Sequence, residues 1–186
     1  MANDVTYISF NAEINQTTTE TLLGVCADLA NKKVGTVYLL FSTLGGNVIN
    51  GFTLYNVLKG MPFKLITHNV GSVNSIGNVV FSSGTERYSC SNATFMFHGV
   101  GFDITSPTRL EEKSLRERLD SISADQKRIG RVLSENTNLC AQDIDALFLE
   151  QVTKDPDYAK GVGLIHDIKE VNIPSGAPLI QLVFKR

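Results

Sequence analysis

The chain has few cysteines, no long apolar run and almost no net charge, and each shortage removes a class of protein. Its three cysteines, Cys26, Cys90 and Cys140, are odd in number and far apart. That excludes a disulfide framework and paired zinc ligands, and it fits a reducing compartment. No His, Cys or carboxylate cluster has metal-ligand spacing, so no metal or other cofactor is expected. No segment approaches the ~20 apolar residues of a membrane span. The opening MANDVTYISF has neither a basic flank nor a signal-peptide run. With 17 basic and 19 acidic residues the formal net charge is −2, so nucleic acid and membrane surfaces are not expected partners. The expected location is cytoplasmic. Repeats and low-complexity linkers are missing too, and residues 1–186 suit a single domain with a real core.

What is present is an alternation of strand and helix patterns. Val5 to Phe10 is β-branched and aromatic and reads as a strand. Thr17-x-x-Glu20 offers a capping box, followed by helical spacing at Leu22, Val25, Cys26 and Leu29, with Asn31-Lys32-Lys33 as its end. Val37 to Phe41 is nearly all apolar, as in a parallel-sheet strand covered on both faces. Ser42-Thr43-Leu44-Gly45-Gly46-Asn47 then opens a helix from Val48 to Leu58. Two glycines there let the backbone approach a ligand closely. No P-loop lysine follows and no G-x-G-x-x-G fits, which leaves an oxyanion- or peptide-binding loop, or a plain tight turn.

The stretch from Phe63 to Gly77, FKLITHNVGSVNSIG, organises the rest. Leu65 to Val70 reads as a buried strand that Gly71 breaks, with Ser72 to Asn74 as a turn. From Ser75 the spacing is helical, with Ile76, Val79 and Val80 on one face. Ser75 therefore falls in the first turn of a helix that follows a strand. A hydroxyl there can act as a nucleophile beside unpaired N–H groups, or it can serve only as an N-cap. Further on, Glu86 to Cys90 and Ala93 to Val100 read as strands. The second carries His98, 23 residues after Ser75, a candidate general base; His68 and His166 are weaker candidates. Ser106-Pro107 leads into a long helix, about 108–135, with Thr108-x-x-Glu111 as a possible cap. Its apolar stripe, Leu115, Leu119, Ile122, Ile129 and Leu133, is narrow and interrupted by Gln126. It looks like a protruding element that packs on a partner. Ala141 to Gln151 reads as a helix, Tyr158 to Ile165 as a helix end entering a strand, and Ala177 to Phe184 as a terminal strand. The fold class is α/β.

In order and spacing, these pieces resemble the proteolytic subunit of the Clp protease, the ClpP family, within the wider ClpP/crotonase superfamily. Ser42-Thr43-Leu44-Gly45-Gly46 is similar to that family's N-S-P-G-G segment. Gly71-Ser72-Val73-Asn74-Ser75-Ile76-Gly77 is similar to its G-x-A-S-M-G nucleophile segment, and Phe95-Met96-Phe97-His98-Gly99 to its M-I-H-Q segment. The long helix resembles the family's handle, and Ala159 to Ile165 its closing A-x-x-x-G-L-V-D. The resemblance implies a spiral of β-β-α units with a protruding handle helix. It also implies a serine endopeptidase acting on polypeptides. Ser75 would be the nucleophile, His98 the base, and the N–H groups of Gly46 and Ile76 the oxyanion hole. The implied assembly is a homo-oligomeric ring, heptameric and stacked in pairs through the handle, with an ATP-dependent unfoldase as partner.

This chain departs from the family's pattern in four places. Gln151 stands at the ungapped position of the family's triad Asp, and a one-residue shift puts Glu150 there instead. Leu44 replaces a proline, and Asn74 replaces a small residue. Few residues precede the first strand, where the family has a longer segment that engages the unfoldase, which argues against such docking. Two other readings share these residues. A catalytically weak ring-forming subunit is favoured by Gln151. A crotonase-like acyl-CoA enzyme is opposed by the Ser75–His98 pair, because that chemistry relies on carboxylates.

Overall fold

The computed structural model describes residues 5–101, 109 and 111–184. Its first half alternates strand and helix: β1 (Val5–Asn11), α1 (Gln16–Asn31), β2 (Thr36–Thr43), α2 (Val48–Lys59), β3 (Lys64–Asn74) and α3 (Gly77–Phe81). Then come β4 (Glu86–Ser89), β5 (Thr94–Met96), α4 (Glu112–Asn136), α5 (Ala141–Glu150), β6 (Thr153–Lys154), α6 (Pro156–Gly161), β7 (Asp167–Ile168) and β8 (Leu179–Gln181). The main path of the sheet runs β6-β5-β3-β2-β1-β8, with β4 joined to β3 and β7 to β4. Strands joined through helices pair in parallel, and among the described residues only the short β5–β6 pair is antiparallel. This is the α/β class read from the sequence.

Alternation along the strands separates two faces. Ile8 and Phe10, Val37, Leu39 and Phe41, and Leu65 join Leu22, Cys26 and Leu29 of α1 and Phe52, Leu54 and Leu58 of α2 in one buried core. The opposite face carries Tyr7, Tyr38, His68 and Tyr88, which sit at matching positions along the pairs. The apolar β2 suggested helices on both faces; among the described residues the segment after β7 lies against this one. Lys169 accepts a hydrogen bond from His68 and lays its ammonium over the Tyr88 ring, 3.2 Å from the centroid.

Several boundaries differ from the sequence reading: α3 begins at Gly77, so Ser75 precedes the helix, and the terminal strand expected from Ala177 to Phe184 is only Leu179–Gln181. The first helix is capped by Asn15, whose side chain accepts from the Thr18 N–H at 3.0 Å while the Asn15 N–H donates to the Thr18 hydroxyl; the Thr17–Glu20 box does not cap it. β3 does not stop at Gly71. It runs on to Asn74 because it changes partner, pairing with β4 at Ile66–Asn69 and with β5 at Ser72–Asn74. β5 ends at Met96, so His98 lies just past a strand end and not within it.

Among the described residues the long helix is buried mainly towards its C-terminal end. In α4, Ile129, Val132 and Leu133 are buried, whereas Leu119 is 59% exposed. The start expected at Thr108 lies outside the described residues; in the described part the Glu111 N–H donates to the Ser114 hydroxyl at 3.3 Å. Its C-terminal end is pinned by Arg87, a buried cation of β4 whose guanidinium donates to the carbonyls of Asn136, Leu164 and Gly163. The terminal strand extends the sheet on the far side, where β8 pairs with β1.

Candidate active site

Ser75 stands on the turn between the end of β3 and α3, with φ at 57°. A non-glycine residue in the left-handed region is uncommon and costs energy unless its surroundings hold it there. Here the Ser75 N–H donates to the Met96 carbonyl at 2.9 Å, and the Ser75 carbonyl accepts from the Asn78 N–H at 3.0 Å.

The glycine loop packs directly against this turn. Gly45 and Gly46 have φ of 93° and 143°. A Cβ on Gly45 would lie 2.8 Å from Ser75 Cβ, and one on Gly46 would lie 2.2 Å from the Ile14 carbonyl oxygen. Both positions need glycine, for the backbone angle and for the space. The loop is fixed from behind by Ile14 N–H to the Gly45 carbonyl and Asn47 N–H to the Ile14 carbonyl, each 2.8 Å. The N–H groups of Gly46 and Ile76 have no hydrogen-bond partner among the described residues.

His98 reaches the same place from β5. Ser75, His98 and Gly46 line one cavity of about 110 Å³, floored by Val48, Phe97, Ile129, Leu133 and Phe148. The ring Nδ1 of His98 is 2.7 Å from the Gly99 carbonyl. A carbonyl only accepts, so Nδ1 carries a proton, and in the neutral tautomer the lone pair falls on Nε2. The strand-end segment is held against α5 and its exit by Phe97 N–H to the Val152 carbonyl at 3.0 Å and Gly99 N–H to the Phe148 carbonyl at 3.2 Å.

Gln151 caps α5 in the left-handed region, φ 54°, with its N–H on the Leu147 carbonyl at 3.2 Å. It is exposed and lines a surface cleft with His98, Gly99, Gln126 and Asp145. Glu150, also exposed, is the last residue of α5. The partner on His98 Nδ1 in this conformation is Gly99. Gln126, the polar break in the stripe of α4, lies against Gly99: a Cβ there would meet its Nε2 at 2.6 Å. No group of three or more His, Cys, Asp or Glu among the described residues could hold a metal ion. Sequence reasoning passed over Asn78, which is buried behind the turn; the one hint was an amide interrupting an apolar run.

The strand order, the serine turn and the flanking glycine loop define a ClpP-like fold. A ClpP1 mutant from Listeria monocytogenes superposes with a TM-score of 0.76 at 20% identity, covering 89% of this chain and 91% of the other. The ClpP protease catalytic domain of Plasmodium falciparum does so with 0.75 at 21% identity, covering 91% and 88%. The Clp protease family model matches residues 2–172, and the chain belongs to that family. Similar curated proteins include ATP-dependent Clp protease proteolytic subunit 1 of Leifsonia xyli, 25% identical over 114 residues, 59% of this chain and 55% of that one. Proteolytic subunit 2 of Pseudomonas aeruginosa is 25% identical over 144 residues, 74% and 70% of the two chains. The chain thus spans between 55% and 70% of the length of the curated relatives it matches.

Proposed function

We propose that this chain is the subunit of a ring-shaped serine peptidase that cleaves polypeptides by Ser–His acyl transfer. The observation that carries the reading is the meeting of Ser75, His98 and Gly46 around one cavity, with the Gly46 and Ile76 N–H groups left unpartnered. Ser75 Oγ attacks the scissile carbonyl carbon while His98 Nε2 takes the hydroxyl proton. The carbonyl oxygen becomes an oxyanion that accepts from the Gly46 and Ile76 N–H groups. Collapse expels the amine, which takes the proton back from His98. Water, activated by the same imidazole, then releases the acyl group. Gln151 is the proposed third member, orienting His98 without supplying charge, and Glu150 is the alternative at that place.

The cavity suggests the substrate. Its floor is apolar, and about 110 Å³ is somewhat smaller than the ~150 Å³ apolar cavity that admits benzene. A single leucine- or methionine-sized side chain fits it, so cleavage after medium apolar residues is the preference. Fluorophosphonate labelling with mass mapping tests the chemistry. Ser75 should carry the label, and Ser75→Ala should abolish both labelling and the hydrolysis of a fluorogenic peptide with leucine before the cut. Undiminished hydrolysis by that variant would overturn the reading.

The assembly proposed is a ring of seven, as the resemblance implies, stacked in pairs through the exposed leucines of the N-terminal half of α4. Leu119 is 59% and Leu115 38% exposed, an apolar face left open among the described residues and suited to a second copy of the helix. Replacing Leu119 and Ile122 together by Asp should leave circular dichroism unchanged and halve the mass seen by light scattering. A wild-type monomer at micromolar concentration would sink this assembly. An ATP-dependent unfoldase rests on the relatives' names alone. A cytoplasmic setting agrees with three unpaired cysteines, of which Cys26 has its thiol pushed up to about 12 by burial.

A further inference from the structure

Asn78 is the second residue of α3, followed by Val79, Val80 and Phe81, and it is 1% exposed. An amide in a buried helical turn is disfavoured both by propensity and by desolvation. Its side chain makes two donations. Nδ2 donates to the Ser75 carbonyl at 3.1 Å and to the Met96 carbonyl at 2.9 Å. The same two carbonyls also accept main-chain bonds, from Asn78 N–H at 3.0 Å and from Ser75 N–H at 2.9 Å. Each carbonyl therefore has both lone pairs engaged. The amide orientation is forced, because turning it over would set Oδ1 against two carbonyl oxygens. Oδ1 itself is buried and has no partner among the described residues. Buried polar atoms are normally paired, so this side chain is held by what its NH2 group does.

We propose that Asn78 is a positioning residue that holds the nucleophile Ser75 in register with the base His98, an inference that rests on the serine-peptidase reading above. Met96 ends β5, and His98 follows two residues later. The pairing of Asn74 with Met96 fixes how far apart the two strands lie. The main-chain bonds from Ser75 N–H to Met96 and from Asn78 N–H to Ser75 hold the turn at single points and leave it able to pivot about them. Asn78 removes that freedom by tying the turn's carbonyl and the strand-end carbonyl to one nitrogen. The same lock aims the Ile76 N–H, which springs from the turn. Losing it leaves Ser75 on the same scaffold but displaced from His98, and displacements near 1 Å cost about a hundredfold in turnover.

The test compares Asn78→Ala, Asn78→Ser and Asn78→Asp with the wild type in the assembled protein. The readouts are kcat and KM on a fluorogenic peptide and the rate of fluorophosphonate labelling of Ser75. Asn78→Ala should lower kcat and the labelling rate together by roughly 10- to 100-fold, with KM within about twofold. Asn78→Ser, whose hydroxyl restores one donation, should recover part of that loss. Asn78→Asp keeps the volume but donates only when protonated, so its deficit should shrink as pH falls and its pH profile should show an ionisation absent from the wild type. If Asn78→Ala does not fold, the Ser and Asp variants carry the test. Variants with lowered melting temperature but wild-type kcat and labelling rates would reduce Asn78 to a packing residue and overturn the proposal. A wild type inert to both reagents would overturn the peptidase reading itself, a different result from an active wild type with unaffected variants.

Discussion

Two histidines of this chain lie close to strands and differ in every respect that bears on chemistry. His68 is fully buried in β3. The Tyr38 hydroxyl donates to its Nδ1 at 2.8 Å, and its Nε2–H donates to the Lys169 carbonyl at 2.9 Å. Both nitrogens are engaged, and burial holds the ring below the usual histidine range, partly opposed by the Lys169 carbonyl. His98 is half-buried, with Nδ1 on the Gly99 carbonyl and no partner for Nε2 among the described residues. It lines a cavity with a serine. A general base needs one nitrogen fixed and the other open towards the reacting atom. His98 leaves Nε2 without a partner among the described residues, beside the cavity that Ser75 lines, and His68 does not. The difference lies in where each strand stops: His68 is mid-strand between two neighbours, whereas β5 ends two residues before His98.

The largest effect that can break this contrast is on hydrolysis. His98→Ala should lower kcat by about 10⁴- to 10⁶-fold, as loss of a base in a serine–histidine system does, with melting temperature nearly unchanged. His68→Phe should leave kcat within about twofold. Equal losses in the two variants would erase the distinction. A smaller effect is expected at the third position. Gln151→Asp would place a carboxylate in the cleft it shares with His98. It should raise kcat by about tenfold through charge stabilisation of the imidazolium, the worth of about one pKa unit. The acidic limb of the pH–rate profile should move to higher pH. An unmoved limb in that variant, with a loss in Glu150→Gln, would transfer the role to Glu150.

The sequence told the two histidines apart by company: one followed a candidate nucleophile at short range, the other sat inside an apolar run. Strand–helix alternation and the apolar faces of α1 and α2 were legible for the same reason, since local periodicity carries them. Features set by long-range pairing were not. The continuation of β3 past Gly71 depends on β5 arriving beside Ser72 to Asn74, which no local pattern announces. The end of β5 at Met96 is likewise invisible in the apolar run from Ala93 to Val100. The role of Arg87 as a pin for three carbonyls on α4 and the turn after α6 comes from residues more than 40 positions away. Asn78 reads locally as a weak helix residue, and its bond to the carbonyl of Met96, 18 positions away, has no local signal.

The smallest effect concerns His68 and folding rather than catalysis. Burial depresses its folded-state pKa, while in the unfolded chain it returns to about 6.5. Below that value the unfolded chain binds a proton that the folded chain refuses. Stability from this group is therefore complete above about pH 7 and declines as pH falls through 6.5, by at most ~1.4 kcal/mol per pH unit. His68→Phe removes the titrating group and strands the Tyr38 hydroxyl and the Lys169 carbonyl, at a cost of ~1–3 kcal/mol. Two results should coincide in thermal melts from pH 8 to pH 5. The variant should melt lower at pH 8, and its melting temperature should fall less steeply with acid than that of the wild type. All other titrating groups are common to both proteins, so the difference in slope isolates His68. Parallel curves would mean that the buried imidazole accepts its proton in place, and the contrast with His98 would then rest on geometry alone.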